Sequence, residues 1–412
     1  MRHILIITML LTCEAAAGQT ALEDYRRSVA EYSWMLKSYS EAVDSAGQAK
    51  DKARTGFLPS LSMNGRFSVQ FRDTPGVRPW DFALEPQVIQ TIYGGGSVRA
   101  AYESATLDYD IAVCDEEFAM FDVRYAADYA YWTLSAMSQY LESRHRYVDI
   151  IRSLKELVDR RFAEGYIARG DVLQIESRLS EAEYELSVAE QNHAVALHNF
   201  NILRGTPFEQ EVELAQTILD SIPMPSRSSV DEIIACRPDY AAALLRTDRA
   251  QTAVQAARAA YNPQLSIGVG GSWAPYTPNR TGETVINGSA FVQLSVPIFH
   301  WGERHRSVGV ARAAQKQSEL ALAQLHDDIM REEMNGWVTL VDSRAQVEAS
   351  LRSLRIAGEN LSISTYSYGE GVATVLDVLQ AQLSWLQLYT NAITAQYNYA
   401  VAVSAYERIA AR

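Results

Sequence analysis

The sequence predicts a mainly α-helical protein with a small antiparallel β part, assembled from two copies of one structural unit. Three observations favour this fold class: an internal repeat at a nearly constant offset, two long stretches without proline, and four segments in which apolar and polar residues alternate. The chain has 412 residues and a net charge of −13. It has no clustered lysine and arginine of the kind that binds nucleic acid, which argues against that class of function.

The N-terminal segment has the pattern of a secretory signal peptide over residues 1–17. A basic start is followed by an apolar core over 4–11 and by small residues that end at Ala17. An alternative is lipoprotein processing at Cys13. The three cysteines of the chain form neither a disulfide framework nor a metal-binding motif.

An internal repeat organises the remaining sequence. The segment Asp171-Val172-Leu173-Gln174 recurs as Asp377-Val378-Leu379-Gln380, an offset of 377 − 171 = 206, and a glycine precedes each aspartate by six positions. A proline-rich stretch separates the two halves. We therefore expect one protomer with repeat one over 18–221, a linker over about 222–227 and repeat two over 228–412.

Each repeat contains two segments that alternate like β-strands, near 57–71 and 80–93 and near 263–275 and 284–299. Their apolar positions share one face, and each has roughly the ten-residue length of a transmembrane barrel strand. A soluble sheet packed on a core is the alternative, but no separate apolar layer is available to cover it. The predicted lipid-facing residues are Phe67, Phe71, Trp80, Phe82, Trp273, Tyr276, Val292 and Leu294.

Very long helices are predicted between the strand pairs. Residues 96–162 and 302–368 lack proline and are rich in alanine, glutamate, glutamine, arginine and leucine. At 1.5 Å per residue, each makes a rod of roughly 100 Å. Apolar residues at heptad spacing along these and the following helices predict coiled-coil packing.

Four strands are too few to close a membrane barrel, for which about eight is the minimum. Because every backbone polar group must be satisfied in lipid, the edge strands must pair with other copies of the chain. The sequence thus predicts an oligomer, and three copies would give twelve strands.

The chain resembles the TolC family of outer-membrane efflux proteins over essentially all of its mature length. The resemblance rests on the two Gly-to-Asp-Val-Leu turns, on Leu203-Arg204-Gly205, on Arg237-Pro238-Asp239-Tyr240 and on Tyr261-Asn262-Pro263-Gln264-Leu265. It implies a homotrimer in which a twelve-stranded barrel in the outer membrane is continued by a long α-helical barrel through the periplasm. It also implies a passive exit duct, for small molecules or polypeptides, that docks to a periplasmic adaptor and to an inner-membrane efflux pump or ABC exporter.

The resemblance places the periplasmic mouth at two helical hairpin tips, 162–171 and 368–377. There, Asp377 matches an acidic ring position, whereas Ala373 and Gln380 depart from the family pattern. N-capping of the returning helices is an equally simple explanation for Asp171 and Asp377. The gate or selectivity candidates are Asp377, Gln380, Tyr368 and Asp171. The adaptor-docking candidates are Gly165, Tyr166, Arg169, Gly371 and Val372.

Enzyme sites are not indicated by the sequence. Tyr93-Gly94-Gly95-Gly96 lacks dinucleotide-binding spacing and is better explained as a swivel between strand and helix. His193 and His198 are five residues apart, so they do not share a helix face as a metal pair would. We therefore expect no catalytic residue, cofactor or metal. The alternative function is a non-conducting, envelope-spanning structural protein.

Overall fold

The computed structural model describes residues 19–71, 80–276 and 285–412. The predicted signal peptide and Cys13 lie outside the described residues. Within them the chain forms eight helices and four strands, in the order α1 Leu22–Tyr32, α2 Trp34–Thr55, β1 Ser60–Val69, β2 Trp80–Tyr93, α3 Ser97–Ala163, α4 Arg169–Leu203, α5 Val230–Cys236, α6 Pro238–Ala259, β3 Gln264–Tyr276, β4 Val285–Ser295, α7 Glu303–Gly369 and α8 Val375–Ile409.

The long helices have the same lengths in both repeats. Helices α3 and α7 each have 67 residues, and α4 and α8 each have 35. The first residues of each pair are separated by the same offset, since 303 − 97 = 206 and 375 − 169 = 206. The internal repeat read from short sequence matches is therefore a repeat of whole helical hairpins.

The four strands form one antiparallel sheet in the order β1-β2-β3-β4. Strand β4 ends at Ser295, earlier than expected, and Pro297, which cannot donate to a ladder, follows soon after. Strand β1 begins at Ser60 rather than at residue 57, because the Phe57 amide donates to the Arg54 carbonyl at 3.1 Å in a turn that closes α2. In the described residues β1 and β4 are the sheet edges.

The strands connect to the long helices through backbone with positive φ. Gly95 and Gly96 adopt φ values of +66° and +98°. A Cβ atom on Gly95 would also lie only 2.8 Å from the carbonyl oxygen of Ala259, so glycine is required there on two grounds. In the second repeat, Trp301 and Gly302 take the equivalent places with φ of +47° and +78°. The predicted swivel is thus present in both repeats, although one glycine is replaced by tryptophan.

The chain divides into two compact units that each draw on both repeats. One unit contains residues 19–36, Met120–Ile233 and Met330–Arg412, and the other contains Lys37–Ala119 and Ile234–Ile329. The compact units therefore differ from the sequence repeats. The reason is that segments at matching positions of the two repeats pack together.

Two buried acids in the first of these units are each paired with an arginine. Asp128 of α3 is 1% exposed and accepts two hydrogen bonds from Arg26, at 2.5 and 2.6 Å. Glu333 of α7 is also 1% exposed and accepts two from Arg227, at 2.8 and 3.0 Å. Each pair ties a segment outside the long helices to the middle of one, and each leaves the carboxylate fully compensated.

The helices of the described residues are not of the membrane-spanning type. None of them contains a stretch that is both long enough and apolar enough to cross a bilayer.

Candidate functional site: the two hairpin tips

The turn between α3 and α4 is a Schellman motif. The Tyr166 amide donates to the Arg161 carbonyl at 2.9 Å, and the Gly165 amide donates to the Phe162 carbonyl at 3.0 Å. Gly165 has a φ of +82°, and a Cβ atom there would meet nothing within 4 Å. Glycine is therefore needed because of its positive φ, and not because a side chain would clash with a neighbour.

The turn between α7 and α8 has the same construction. The Val372 amide donates to the Ser367 carbonyl at 2.9 Å, and the Gly371 amide donates to the Tyr368 carbonyl at 3.1 Å. Gly371 has a φ of +75°. The two tips predicted from the repeat are thus the same motif, even though only the glycine, the glutamate before it and the later aspartate are common to both.

Asp377 belongs to a capping box at the start of α8. The Thr374 hydroxyl accepts from the Asp377 amide, while the Asp377 carboxylate accepts from the Thr374 amide at 2.8 Å and from its hydroxyl at 2.6 Å. These hydrogen bonds favour the ionised form and hold the pKa of Asp377 below its usual value. The N-cap of α8 is therefore Thr374, and Asp377 is the third residue of the helix.

Helix α4 begins differently. Its N-cap residue is Ala168, which makes no side-chain cap hydrogen bond, and Asp171 is again the third helical residue. The expected N-capping is present for Asp377 through the capping box, whereas Asp171 lies three positions beyond an N-cap residue that makes no side-chain cap hydrogen bond. Only the second repeat has a hydroxyl side chain at the cap, so only Asp377 is held in a capping box.

A contact between the tips was missed by sequence reasoning. The guanidinium of Arg161, in the last turn of α3, lies 4.5 Å from the ring centre of Tyr368 and donates to the carbonyls of Tyr368 and Gly369 at 3.2 and 3.4 Å. It therefore binds the end of α7 both by a cation–π contact and by capping its last carbonyls. The internal repeat does not predict this contact, because the position equivalent to Arg161 in the second repeat is Ser367.

Tyr368 is buried beneath the tips, with only 4% of its surface exposed. It belongs to an apolar cluster of α3, α4, α7 and α8 that includes Ile151, Ile175 and Leu379. Its hydroxyl and the side-chain carbonyl of Gln382 are buried without a hydrogen-bond partner. Tyr368 thus contributes to packing in this conformation and does not line an exposed face.

The other tip candidates are accessible. Tyr166 is 77% exposed and Val372 is 83% exposed, so each tip presents one large apolar side chain at its end. Arg169 is also exposed. On α8, Asp377 and Gln380 are exposed and three residues apart, which places them on one helix face. Asp171 is half-buried.

The sheet separates its side chains as the alternation predicted. Directly paired residues share a face, and the register pairs Phe67 with Phe82 and Trp273 with Ile286. The same face carries Trp80, Val292 and Leu294, while Phe71 is exposed just beyond β1 and the backbone of Tyr276 pairs with that of Phe82. The opposite face is mainly polar.

The histidines and acids of the described part of the chain form no metal-binding cluster. His193 forms a hydrogen bond with the Ser138 hydroxyl at 3.2 Å, and burial lowers its pKa. Among the described residues, no group of three or more histidine, cysteine, aspartate or glutamate side chains is placed to hold a metal ion.

A repeated helical hairpin joined to a small antiparallel sheet with one apolar face defines a channel-type outer-membrane protein. The sequence model of the family described as "Outer membrane efflux protein" matches residues 29–205 and 230–411. The chain belongs to this family. The resemblance inferred from the turn motifs is thereby confirmed.

Curated relatives come from several bacteria. Protein CyaE of Bordetella pertussis is 26% identical over 81% of this chain and 72% of its own length. Nodulation protein T of Rhizobium leguminosarum bv. trifolii is 26% identical over 84% and 75%. The alkaline protease secretion protein AprF of Pseudomonas aeruginosa is 27% identical over 60% of this chain and 52% of its own length.

Solved structures share the fold. CusC superposes with a TM-score of 0.83 at 17% identity, covering 94% of this chain and 91% of its own. The outer membrane protein VceC of Vibrio cholerae gives a TM-score of 0.79 at 19% identity, covering 94% and 95%. The predicted fold class is confirmed.

The chain is accordingly an outer-membrane channel of the efflux and secretion type, located in the outer membrane and extending into the periplasm. Its family and structural neighbours are channel proteins rather than enzymes.

Proposed function

We propose that this chain forms a homotrimeric, passive exit duct, with a twelve-stranded barrel in the outer membrane, and that its hairpin tips form the periplasmic mouth. The observation that carries the proposal is the open sheet. Its two edge strands β1 and β4 run antiparallel to each other in the order β1-β2-β3-β4, so the β4 edge of one copy can pair with the β1 edge of the next. Closure satisfies the backbone groups that lipid would leave unpaired.

The tips are proposed to dock a periplasmic adaptor, which links the duct to an inner-membrane pump or ABC exporter. Support comes from the exposed apolar ends of both turns, Tyr166 and Val372, held by two identical Schellman motifs. Tyrosine is enriched among the residues that contribute most to partner binding, which makes Tyr166 the stronger of the two candidate contacts. The cargo is a small molecule or a polypeptide, by analogy with relatives whose names describe protease secretion, pyoverdine export and cation efflux.

The resting gate is proposed to involve the contact between Arg161 and Tyr368. That contact joins the end of α3 to the end of α7, so opening the mouth by moving one hairpin would break it. The Tyr368 hydroxyl and the Gln382 side-chain carbonyl are both buried without a hydrogen-bond partner, which costs about 1–3 kcal/mol each in this conformation. A rearranged hairpin that satisfied them would offset part of the cost of opening.

Asp377 is proposed to set ion selectivity at the constriction. In Asp377→Asn we expect the cation-to-anion permeability ratio to fall, because three carboxylates around one axis favour cations. Reversal potentials under a salt gradient in planar bilayers measure this ratio. Asp171→Asn, at the equivalent position of the other repeat, is the matched comparison. Unchanged selectivity in Asp377→Asn would mean that Asp377 does not line the constriction.

The capping box predicts how this selectivity depends on pH. Because the pKa of Asp377 is lowered by Thr374, the carboxylate stays ionised on acidification and takes up its proton only below the usual carboxyl range. Any stabilisation from the capped carboxylate is likewise present above that range and lost as pH falls through the lowered pKa. Thr374→Ala removes the main hydrogen bond, so cation selectivity should be lost at a higher pH than in the wild type. An identical pH profile would show that Thr374 does not control this carboxylate.

The structural alternative predicts a different result in the same bilayers. A duct gives gated single-channel currents, whereas a non-conducting scaffold gives none even when the tip is altered. Arg161→Ala should raise the open probability if its contact with Tyr368 closes the mouth. A trimer that remains silent in both wild type and Arg161→Ala would favour the scaffold.

A further inference from the structure

One row on the polar face of the sheet carries two large apolar side chains. The ladder aligns Ser60, Ile89, Gly268 and Phe291 across the four strands. The rows on either side are hydrophilic or glycine, namely Thr91, Ser266 and Gln293 on one side and Ser62, Gln87, Gly270 and Ser289 on the other. A large aromatic side chain is therefore out of pattern at position 291.

The ring of Phe291 lies directly over Gly268. A Cβ atom on Gly268 would be 2.4 Å from the ring Cζ and within 2.9 Å of both Cε atoms. Covering a glycine in a neighbouring strand explains why the ring adopts this position. Contact with Gly268 buries only part of the ring, since Phe291 remains half-buried. Ile89, in the same row, is also only half-buried. An apolar surface is thus left open on an otherwise hydrophilic face.

In a closed barrel the apolar face of the sheet contacts lipid and the polar face lines the interior. We propose that Phe291 is a specificity-determining residue of the duct, which gives the barrel interior an aromatic band that retains planar, apolar parts of a cargo molecule. This inference rests on the proposed closed barrel. Each copy of the chain adds one such ring at the same height of the barrel. Cargo with an aromatic group would contact it in passage, while small inorganic ions would not.

The favoured ligand chemistry follows from the ring itself. Aromatic pairs contribute roughly 0.5–1.5 kcal/mol beyond burial of area, which is about a 2- to 12-fold effect on binding. Aliphatic groups lack this contribution. Among probes of equal charge, an aromatic one should therefore be held more strongly than an aliphatic one of comparable bulk.

The test compares two monovalent organic cations as blockers of single-channel current through the full-length protein in planar bilayers. Tetraphenylphosphonium is the aromatic probe and tetrabutylammonium is the aliphatic one. Phe291→Leu should raise the half-blocking concentration of tetraphenylphosphonium about 2- to 12-fold, with little change for tetrabutylammonium. Phe291→Tyr keeps the ring and should retain the block. Ser289→Ala, in the adjacent hydrophilic row, is the control and should behave as the wild type.

Three results would overturn the proposal. Block by tetraphenylphosphonium that is unchanged in Phe291→Leu would mean that the ring only covers Gly268. An equal loss of block for both cations would indicate a general change in the pore and not an aromatic contact. A protein that carries no current in the wild type or in Arg161→Ala would refute the closed barrel, and the aromatic band with it, which separates this failure from the other two.

Discussion

Placing a charge at either hairpin tip is expected to abolish export while trimers still form. Val372→Asp and Tyr166→Asp each put a carboxylate on an exposed apolar side chain that makes the end of a Schellman turn. The backbone hydrogen bonds of the turn do not involve these side chains, so the fold should be retained. Docking of an apolar partner surface would instead require burial of an unpaired charge, which costs several kcal/mol.

The measurement is export of a reporter cargo in cells, together with cross-linking to the adaptor and the amount of trimer in the outer membrane. Glu359→Lys is the matched control, since Glu359 is an exposed residue of α7 that lies before the tip. It should leave export unchanged. If both tip variants export normally, the tips are not the docking surface. If trimers are lost as well, the tips act in assembly.

Removing the buried carboxylate of Asp128 is expected to destabilise the protein by up to about 3–5 kcal/mol, because the mostly buried Arg26 would keep only its ion pairs with Glu23 and Glu407. Both hydrogen bonds of this pair are short, and the Asp128 side chain is almost completely covered. Asp128→Ala should therefore lower the temperature at which the detergent-solubilised protein unfolds and reduce its amount in the membrane.

A second partner of Arg26 provides the control. Glu23 also pairs with Arg26, at 2.8 Å, but its side chain is 78% exposed. An exposed pair contributes about 0–1 kcal/mol. Glu23→Ala should thus leave the unfolding temperature nearly unchanged. Equal effects of the two substitutions would mean that burial of the pair does not determine its contribution.

Much of the fold was predictable because it rests on patterns that are local in sequence. Strand alternation gave the faces of the sheet, and strand β2 was placed at the observed residues. The lack of proline gave α3 and α7 to within a residue or so. The end of β4 was less well placed, because alternation continues past Ser295 although the ladder stops there.

The site was predictable only in part. The glycines of the tips follow from the repeat, since a Schellman turn needs positive φ and glycine adopts it readily. The capping box is also readable from the sequence, because Thr374 stands three residues before Asp377, although an aspartate at this place also suggests an N-cap residue. The contact of Arg161 with Tyr368 joins residues 207 positions apart and has no counterpart in the other repeat. Phe291 stands out only once the register shows which row it shares with Gly268.

The central claim is that copies of this chain close a duct, and single-particle electron microscopy of the detergent-extracted mature protein tests it most directly. We expect particles with threefold symmetry, a central lumen and a helical part of roughly 100 Å, the length that 67-residue helices require. A monomer, or a compact particle without a lumen, would contradict it.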